Sequence, residues 1–193
     1  MQWVFPNAPH NMDARQNAWY TPTSLSAPPS GRPELAVDED EDGLLHSVKY
    51  VESLLDDLCS KGIPPNRIVL GGFSQGCAMS LLTAFVSRYS GQLAGVVGLM
   101  GYLPLPNRIQ TLRAGADLPS VVGHVPILLA RGKLDRLIPY TKWNEGLNKL
   151  KDLGVDEDSL QVKDYEGLAH ALSPTVLKDL CGWLEQVVPP LED

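Results

Sequence analysis

The stretch Leu70–Cys77 constrains the fold of this 193-residue chain more than any other. It contains the pattern Gly-x-Ser-x-Gly, with Ser74 at its centre, between an apolar β-branched run and a helix-forming run. This setting predicts a buried strand that turns abruptly into a helix and exposes the Ser74 hydroxyl at the turn. We interpret both glycines as making room for the turn, because a Cβ at either would collide with its neighbours. Ser74 is therefore a candidate nucleophile, and an incidental serine in a glycine-rich turn is the alternative.

A serine nucleophile of this kind needs an acid and a histidine, which follow it in that order along the chain. Of the four histidines, only His124 and His170 follow Ser74. His124 directly precedes a strand-like run, so it is expected at the start of a strand. His170 follows the strand-like run 160–165, and functional groups of open α/β sheets gather beyond the carboxyl ends of strands. His170 is therefore the candidate base.

Asp135 is the candidate acid by the same reasoning. It lies in the loop that leaves the apolar run Pro126–Ala130, which is predicted to be a buried parallel strand. Asp117 is the alternative, but Gly115 and Pro119 place it in a surface loop.

The three candidates predict one reaction type. Ser74 attacks an acyl carbon, while His170 accepts its proton and returns it to the leaving group. Asp135 fixes the imidazole tautomer and stabilises the imidazolium. The backbone N–H of Gln75 is expected to be one oxyanion donor, because it lies at the start of the helix that follows the nucleophile.

Composition and charge argue against other classes. The net charge of −7 opposes a nucleic-acid partner, because phosphates would repel the surface. No apolar run approaches the roughly 20 residues that span a bilayer, and no secretory signal opens the chain, so a cytoplasmic location is expected. The cysteines Cys59, Cys77 and Cys181 lack metal-ligand spacing and are expected to be reduced. Cys77 is expected to be packed rather than reactive.

Strand-like and helical segments alternate along the chain, which predicts an α/β fold with a mostly parallel central sheet and helices on both faces. Strands are expected at 3–5, 67–70, 95–100, 126–130 and 160–165. Helices are expected at about 44–58, 78–85, 140–153 and 174–187. The stretches 10–37 and 105–123 are expected to be loops. No repeat or dividing linker is found, so residues 1–193 are predicted to form a single domain.

Read together, these segments resemble the acyl-protein thioesterase and small carboxylesterase family of α/β-hydrolases. The resemblance covers the chain from its first residues to its last helix. The matching segments are Phe5–Pro9, Trp19–Tyr20, Gly62–Ile68, Gly71–Gly76, Gly132–Asp135, Ile138–Pro139, Tyr165–Gly167 and His170. The resemblance implies an α/β-hydrolase fold and hydrolysis of fatty-acyl thioesters on protein cysteines, or of short and medium carboxylic esters. It implies no cofactor and no metal, and it gives Ser74, Asp135 and His170 the roles stated above.

Three departures from the family pattern bear on the site. The chain reads Arg131–Gly132 where the family usually has His-Gly, and Ala171 where a small hydroxyl residue commonly follows the histidine. The larger departure is that the sequence contains no His-Gly-x-Gly, the family's loop for the second oxyanion donor. The resemblance is thus to a member without its N-terminal strands and oxyanion loop, and weak or absent esterase activity is expected.

Two functions from different classes remain. One is a serine hydrolase for acyl esters or thioesters, including S-acylated proteins. The other is a catalytically impaired acyl-chain- or protein-binding module that keeps the fold. The intact candidate triad favours the first, and the absent oxyanion loop favours the second. Trp19, Tyr20 and the segment 99–104 are expected to shape the acyl pocket, while ester or thioester preference, acyl-chain length and oligomeric state stay open.

Overall fold

The computed structural model describes residues 1–23 and 38–188. Two strands of two residues each form a hairpin, β1 (His10–Asn11) with β2 (Gln16–Asn17). The main sheet contains β3 (Val69–Phe73), β4 (Gly95–Leu99), β5 (Ile127–Gly132) and β6 (Leu160–Tyr165). The helices are α1 (Glu41–Ser60), α2 (Gln75–Val86), α3 (Ile109–Gly115), α4 (Tyr140–Asp152) and α5 (Pro174–Val187).

The main sheet is parallel, and its strands lie side by side in chain order, β3-β4-β5-β6. Parallel neighbours need a crossover, and the helices α2, α3 and α4 provide one between each pair of strands. All carboxyl ends therefore meet at one edge of the sheet, where the loops after β3, β5 and β6 come together. This confirms the predicted α/β fold and brings the candidate site residues to the same edge.

The two central strands are covered on both faces. All five residues of β4 are buried, and alternate positions face opposite cores. Val96 and Ile127 belong to the larger core, with α1, α2, α3 and α4. Val97 and Leu128 belong to the smaller core, with side chains of α5. Burial on both faces explains why these strands are almost continuously apolar in sequence, and it confirms the expected helices on both sides.

The predicted strand at 3–5 is wrong. Trp3 and Phe5 are 55% and 82% exposed, and their rings stack on each other with centroids 6.0 Å apart. A strand requires a neighbouring strand to pair its backbone groups, and this segment lies outside both described sheets. The apolar, β-branched character of the segment was therefore a misleading signal.

The two predicted loops also contain structure. The stretch 10–37 begins with the β1–β2 hairpin, and its part 24–37 lies outside the described residues. The stretch 105–123 contains α3, whose buried residues Ile109 and Arg113 lie one turn apart. The Arg113 guanidinium donates to the carbonyls of Phe85, Pro119 and Val121, which explains how a charged side chain can be buried there. A charged residue on the buried face obscures the helical pattern in sequence.

Candidate active site

Ser74 lies at the turn between β3 and α2 with φ 56° and ψ −118°. A non-glycine residue with positive φ costs about 1–3 kcal/mol and persists only where the surroundings enforce it. Here the Ser74 N–H donates to the carbonyl of Leu99 at 2.9 Å, which ties the turn to the end of β4. The backbone around the candidate nucleophile is therefore strained and fixed by the sheet.

The glycines around the turn are not equivalent. A Cβ at Gly72 would overlap the backbone of Gly76, and one at Gly101 would lie 2.7 Å from the carbonyl oxygen of Ser74. A Cβ at Gly76 itself meets open space among the described residues. Our prediction that both motif glycines avoid a collision is therefore right for Gly72 and wrong for Gly76. The restriction is one-sided because the strand glycine faces the helix backbone, whereas the helix glycine points away from the strand.

The structure brings Ser74, His170 and Asp135 into one line of contacts. His170 Nε2 lies 2.9 Å from Ser74 Oγ, and its Nδ1 lies 2.7 Å from Asp135 Oδ2. The side chains of His170 and Asp135 are 14% and 4% exposed. A carboxylate at Nδ1 holds the proton there, which leaves Nε2 to accept the proton of the serine hydroxyl. This arrangement can activate a hydroxyl for nucleophilic attack.

Both oxygens of the Asp135 carboxylate are held by hydrogen bonds. Its Oδ1 accepts hydrogen bonds from the N–H groups of Leu137 at 2.8 Å and Ile138 at 3.1 Å. With one oxygen held by its own loop and the other on His170, the carboxylate has little freedom to rotate. Its loop thus presents the acid in a single orientation.

The loops that carry Asp135 and His170 touch each other. The Leu134 N–H donates to the carbonyl of Leu168 at 2.9 Å. A Cβ at Gly132 would overlap that same Leu168 carbonyl, so the glycine permits the close crossing. The imidazole of His170 also packs against the ring of Phe73, with centroids 5.0 Å apart. Backbone contact between the loops therefore sets where the imidazole lies relative to the serine.

Arg131, which stands where the family usually has histidine, makes its contacts outside the line of three residues. Its guanidinium donates to both carboxylate oxygens of Asp164, at 2.8 and 3.1 Å, and lies 4.5 Å from the centre of the Tyr140 ring. Arg131 and Asp164 are paired positions of β5 and β6. The substitution therefore adds a cross-strand ion pair and leaves the Asp135–His170 contact intact.

The alternative candidates lie elsewhere, as expected. His124 precedes the amino end of β5, and its Nδ1 lies 2.6 Å from Ser159 Oγ. Asp117 follows the end of α3 and is exposed. Cys77 is fully buried, and burial raises the pKa of its thiol to about 12, so it stays protonated and packed. The predicted packing role of Cys77 is confirmed.

A cavity of about 120 Å³ opens beside the candidate nucleophile. Its lining residues are Tyr20, Pro22, Thr23, Ser74, Gln75, Tyr102 and Ile138. Gln75 is the first residue of α2, where backbone N–H groups have no acceptor within the helix. The cavity is thus bordered by the candidate nucleophile, a helix N-terminus and a largely apolar wall. Tyr20 and Tyr102, from the two segments that the sequence associates with the acyl pocket, both line it.

Sequence reasoning missed one part of this site, the side chain of Gln75. Its Oε1 accepts from the Trp19 N–H at 3.1 Å, and its Nε2 donates to the Tyr20 carbonyl at 3.2 Å. The matching segments Trp19–Tyr20 and Gly71–Gly76 lie far apart in the sequence. Nothing in a linear pattern indicates that residues 55 and 56 positions apart meet.

Comparison with known proteins identifies the family. A sequence profile of the phospholipase/carboxylesterase family matches residues 1–188. Acyl-protein thioesterase 1 of Yarrowia lipolytica is 33% identical over 195 residues, covering 96% of this chain and 78% of that protein. Acyl-protein thioesterase 1 of Aspergillus fumigatus is also 33% identical, covering 99% of this chain and 78% of that protein.

Solved structures agree with this assignment. Arabidopsis thaliana SOBER1 superimposes with a TM-score of 0.76 at 27% identity, covering 96% of this chain and 83% of that one. Zea mays acyl-protein thioesterase 2 gives a TM-score of 0.71 at 26% identity, covering 96% and 81%. In the described ranges 1–23 and 38–188, no helix is long and apolar enough to cross a membrane. The chain belongs to the phospholipase/carboxylesterase family, α/β-fold hydrolases that include esterases and thioesterases.

Proposed function

We propose that this chain hydrolyses carboxylic esters or fatty-acyl thioesters through a Ser–His–Asp triad and a covalent acyl-enzyme. The observation that carries the proposal is the line of contacts from Asp135 through His170 to Ser74, at 2.7 and 2.9 Å. Those distances lie within the reach that proton transfer needs. The contacts lie at the carboxyl edge of the sheet, next to a cavity that can receive an acyl group.

In the proposed reaction, Ser74 Oγ attacks the acyl carbon while His170 Nε2 takes the hydroxyl proton. The carbonyl oxygen becomes an oxyanion, which the N–H of Gln75 stabilises. When the intermediate collapses, His170 returns the proton to the departing alcohol or thiol, and the acyl group remains on Ser74. Water then adds to the acyl carbon with His170 as base, which releases the acid and restores the serine. Asp135 holds the imidazolium in place throughout.

S-acylated proteins are the proposed physiological substrates, because the relatives named above are acyl-protein thioesterases. A thioester differs from an ester in its leaving group, whereas the acyl group that Ser74 receives is the same in both. The same site therefore serves both bonds. We also propose a cytoplasmic setting, which the three free cysteines support.

Two matched substrates test the proposal, an octanoyl ester and an octanoyl thioester. We expect the chain to hydrolyse both, at low rates because the Gln75 N–H is the one oxyanion donor in the proposed reaction. Ser74→Ala should hydrolyse neither, with unchanged circular dichroism. Ser53→Ala, an exposed serine on α1, is the control and should retain wild-type rates. A folded wild-type chain that binds octanoate but turns over neither substrate would instead support the acyl-binding module.

A further inference from the structure

The side chain of Gln75 joins the residue after the candidate nucleophile to a distant segment of the chain. Its Oε1 accepts from the Trp19 N–H and its Nε2 donates to the Tyr20 carbonyl, at 3.1 and 3.2 Å. A primary amide is suited to this task because it offers an acceptor and a donor side by side. Glutamate lacks the donor and methionine lacks both strong groups.

Residues 18–23, which we call the pocket segment, are held on their other side by α1 and its N-cap. The Ser47 hydroxyl donates to the Trp19 carbonyl, and the Thr21 N–H donates to Asp40 Oδ2 at 2.7 Å. These bonds attach the segment to α1. The two bonds from Gln75 attach it to the strand–helix turn at residues 72–76, which we call the elbow, so they determine how far the segment lies from Ser74.

Three residues of the pocket segment line the cavity, Tyr20, Pro22 and Thr23, and Tyr20 has the largest side chain of the three. Its side chain is buried, lines the cavity with Ser74, and shares a hydrogen bond with the hydroxyl of Tyr102. Burial raises the pKa of Tyr20 to about 12, so the phenol stays neutral in the pocket. The position of this ring sets the width of the space beside the nucleophile.

We propose that the Gln75 side chain is a positioning residue for acyl selectivity, because it holds the Tyr20 wall of the cavity against the elbow. This inference rests on the esterase function proposed above. Gln75 then has two roles. Its backbone N–H is the proposed oxyanion donor, and its side chain sets which acyl groups fit. Loosening the side chain allows the Tyr20 ring to retreat, which favours acyl chains that the native cavity accommodates poorly.

The test compares Gln75→Met with the wild type on p-nitrophenyl acetate, butyrate and octanoate. Methionine keeps the backbone N–H and the side-chain length but removes both hydrogen bonds. We expect the octanoate-to-acetate ratio of kcat/KM to rise roughly tenfold, the scale on which hydrophobic pockets discriminate acyl length. The change should come mainly from a lower KM for octanoate. Gln92→Met removes a glutamine bond to the Arg88 carbonyl far from the site and should leave the ratio unchanged.

A double-mutant cycle shows whether Gln75 acts through the Tyr20 wall. In a Tyr20→Ala background the Tyr20 ring is already absent, so adding Gln75→Met should change the ratio by less than about twofold. A tenfold shift in both backgrounds would overturn the inference, as would equal losses on all three esters. Circular dichroism confirms folding, and Gln75→Glu replaces Gln75→Met if the latter does not fold. A wild-type chain that turns over none of the esters would contradict the proposed function itself.

Discussion

The candidate nucleophile and its two candidate partners are held in place by different physical means. Ser74 is fixed largely by crowding within the core: its φ is positive, its N–H donates to the Leu99 carbonyl, and added Cβ atoms at Gly72 or Gly101 would collide with the elbow. Asp135 and His170 are fixed by hydrogen bonds within and between two loops. The elbow is thus part of the folded core, whereas the candidate acid and base depend on a few polar contacts at the edge of the core.

Because of this difference, we expect stability and activity to respond to different mutations. A substitution that distorts the elbow shifts α2 relative to β3, and the packing of the helix on the sheet depends on that junction. Damage to the loops moves a side chain by a fraction of its length without opening the core. Substitutions at the crowded elbow glycines Gly72 and Gly101 should therefore reduce the melting temperature, and changes at the loops should reduce turnover in a protein that stays folded.

The largest expected effect on turnover is that of Asp135→Asn. The amide removes the charge that orients and stabilises the His170 imidazolium, which lowers kcat by about 10⁴-fold in sites of this type. The melting temperature should change little, because the residue sits in a loop. Asp117→Asn, at the exposed acid considered as the alternative, is the matched control. Equal losses in the two variants would contradict the assignment of the acid.

The largest expected effect on stability is that of Gly72→Ala, because the new Cβ would overlap the backbone of Gly76. Forced overpacking of this kind lowers the free energy of unfolding by about 1–3 kcal/mol, and in some cases by more. Gly76→Ala is the matched variant, since its Cβ meets open space, and alanine in a helix gains up to about 1 kcal/mol over glycine. Thermal unfolding of both variants measures the difference. Similar melting temperatures would show that the elbow is not sterically fixed.

Gly132→Ala tests whether contact between the two loops sets the position of the His170 imidazole. Its Cβ would overlap the Leu168 carbonyl and push the His170 loop outward. Displacing a catalytic group by about 1 Å costs roughly 100-fold in rate. We expect kcat to fall by that order with a smaller loss of stability than in Gly72→Ala. A variant with wild-type kcat would show that loop contact does not set the imidazole position.

Arg131→Met should have the smallest effect. The Arg131–Asp164 pair is partly exposed, and exposed ion pairs contribute about 1 kcal/mol or less. Since its contacts lie outside the line of three residues, we expect kcat/KM to stay within about threefold of the wild-type value. Steady-state kinetics measure kcat/KM, and thermal unfolding in low salt measures what the ion pair contributes to stability. A loss of 100-fold would instead indicate that Arg131 supports the acid loop.

The sequence predicts the parts of this molecule that depend on local pattern. The strand–serine–helix order, the parallel sheet and the loops that carry Asp135 and His170 all follow from apolar runs and their order. The predicted strand at 3–5 is wrong because a strand needs a neighbouring strand to pair with, which local composition does not reveal. Helix α3 was missed because its buried face includes Arg113.

Contacts between distant segments were beyond the reach of sequence patterns. The overlap that makes Gly132 necessary arises only where the Asp135 and His170 loops cross. The bonds from Gln75 to Trp19 and Tyr20 depend on how the pocket segment folds back over the elbow. Both features are set by tertiary packing, and both affect the candidate site more than its overall fold.

Labelling with a fluorophosphonate probe distinguishes an assembled triad from three unconnected side chains, because the probe reacts with a serine that its site activates. We expect labelling of the wild-type chain and loss of that labelling in Ser74→Ala, with His170→Ala also unlabelled. Both variants should keep the wild-type circular dichroism. Labelling that persists in Ser74→Ala, or a folded wild-type chain that remains unlabelled, would contradict the claim that Ser74, His170 and Asp135 form a working triad.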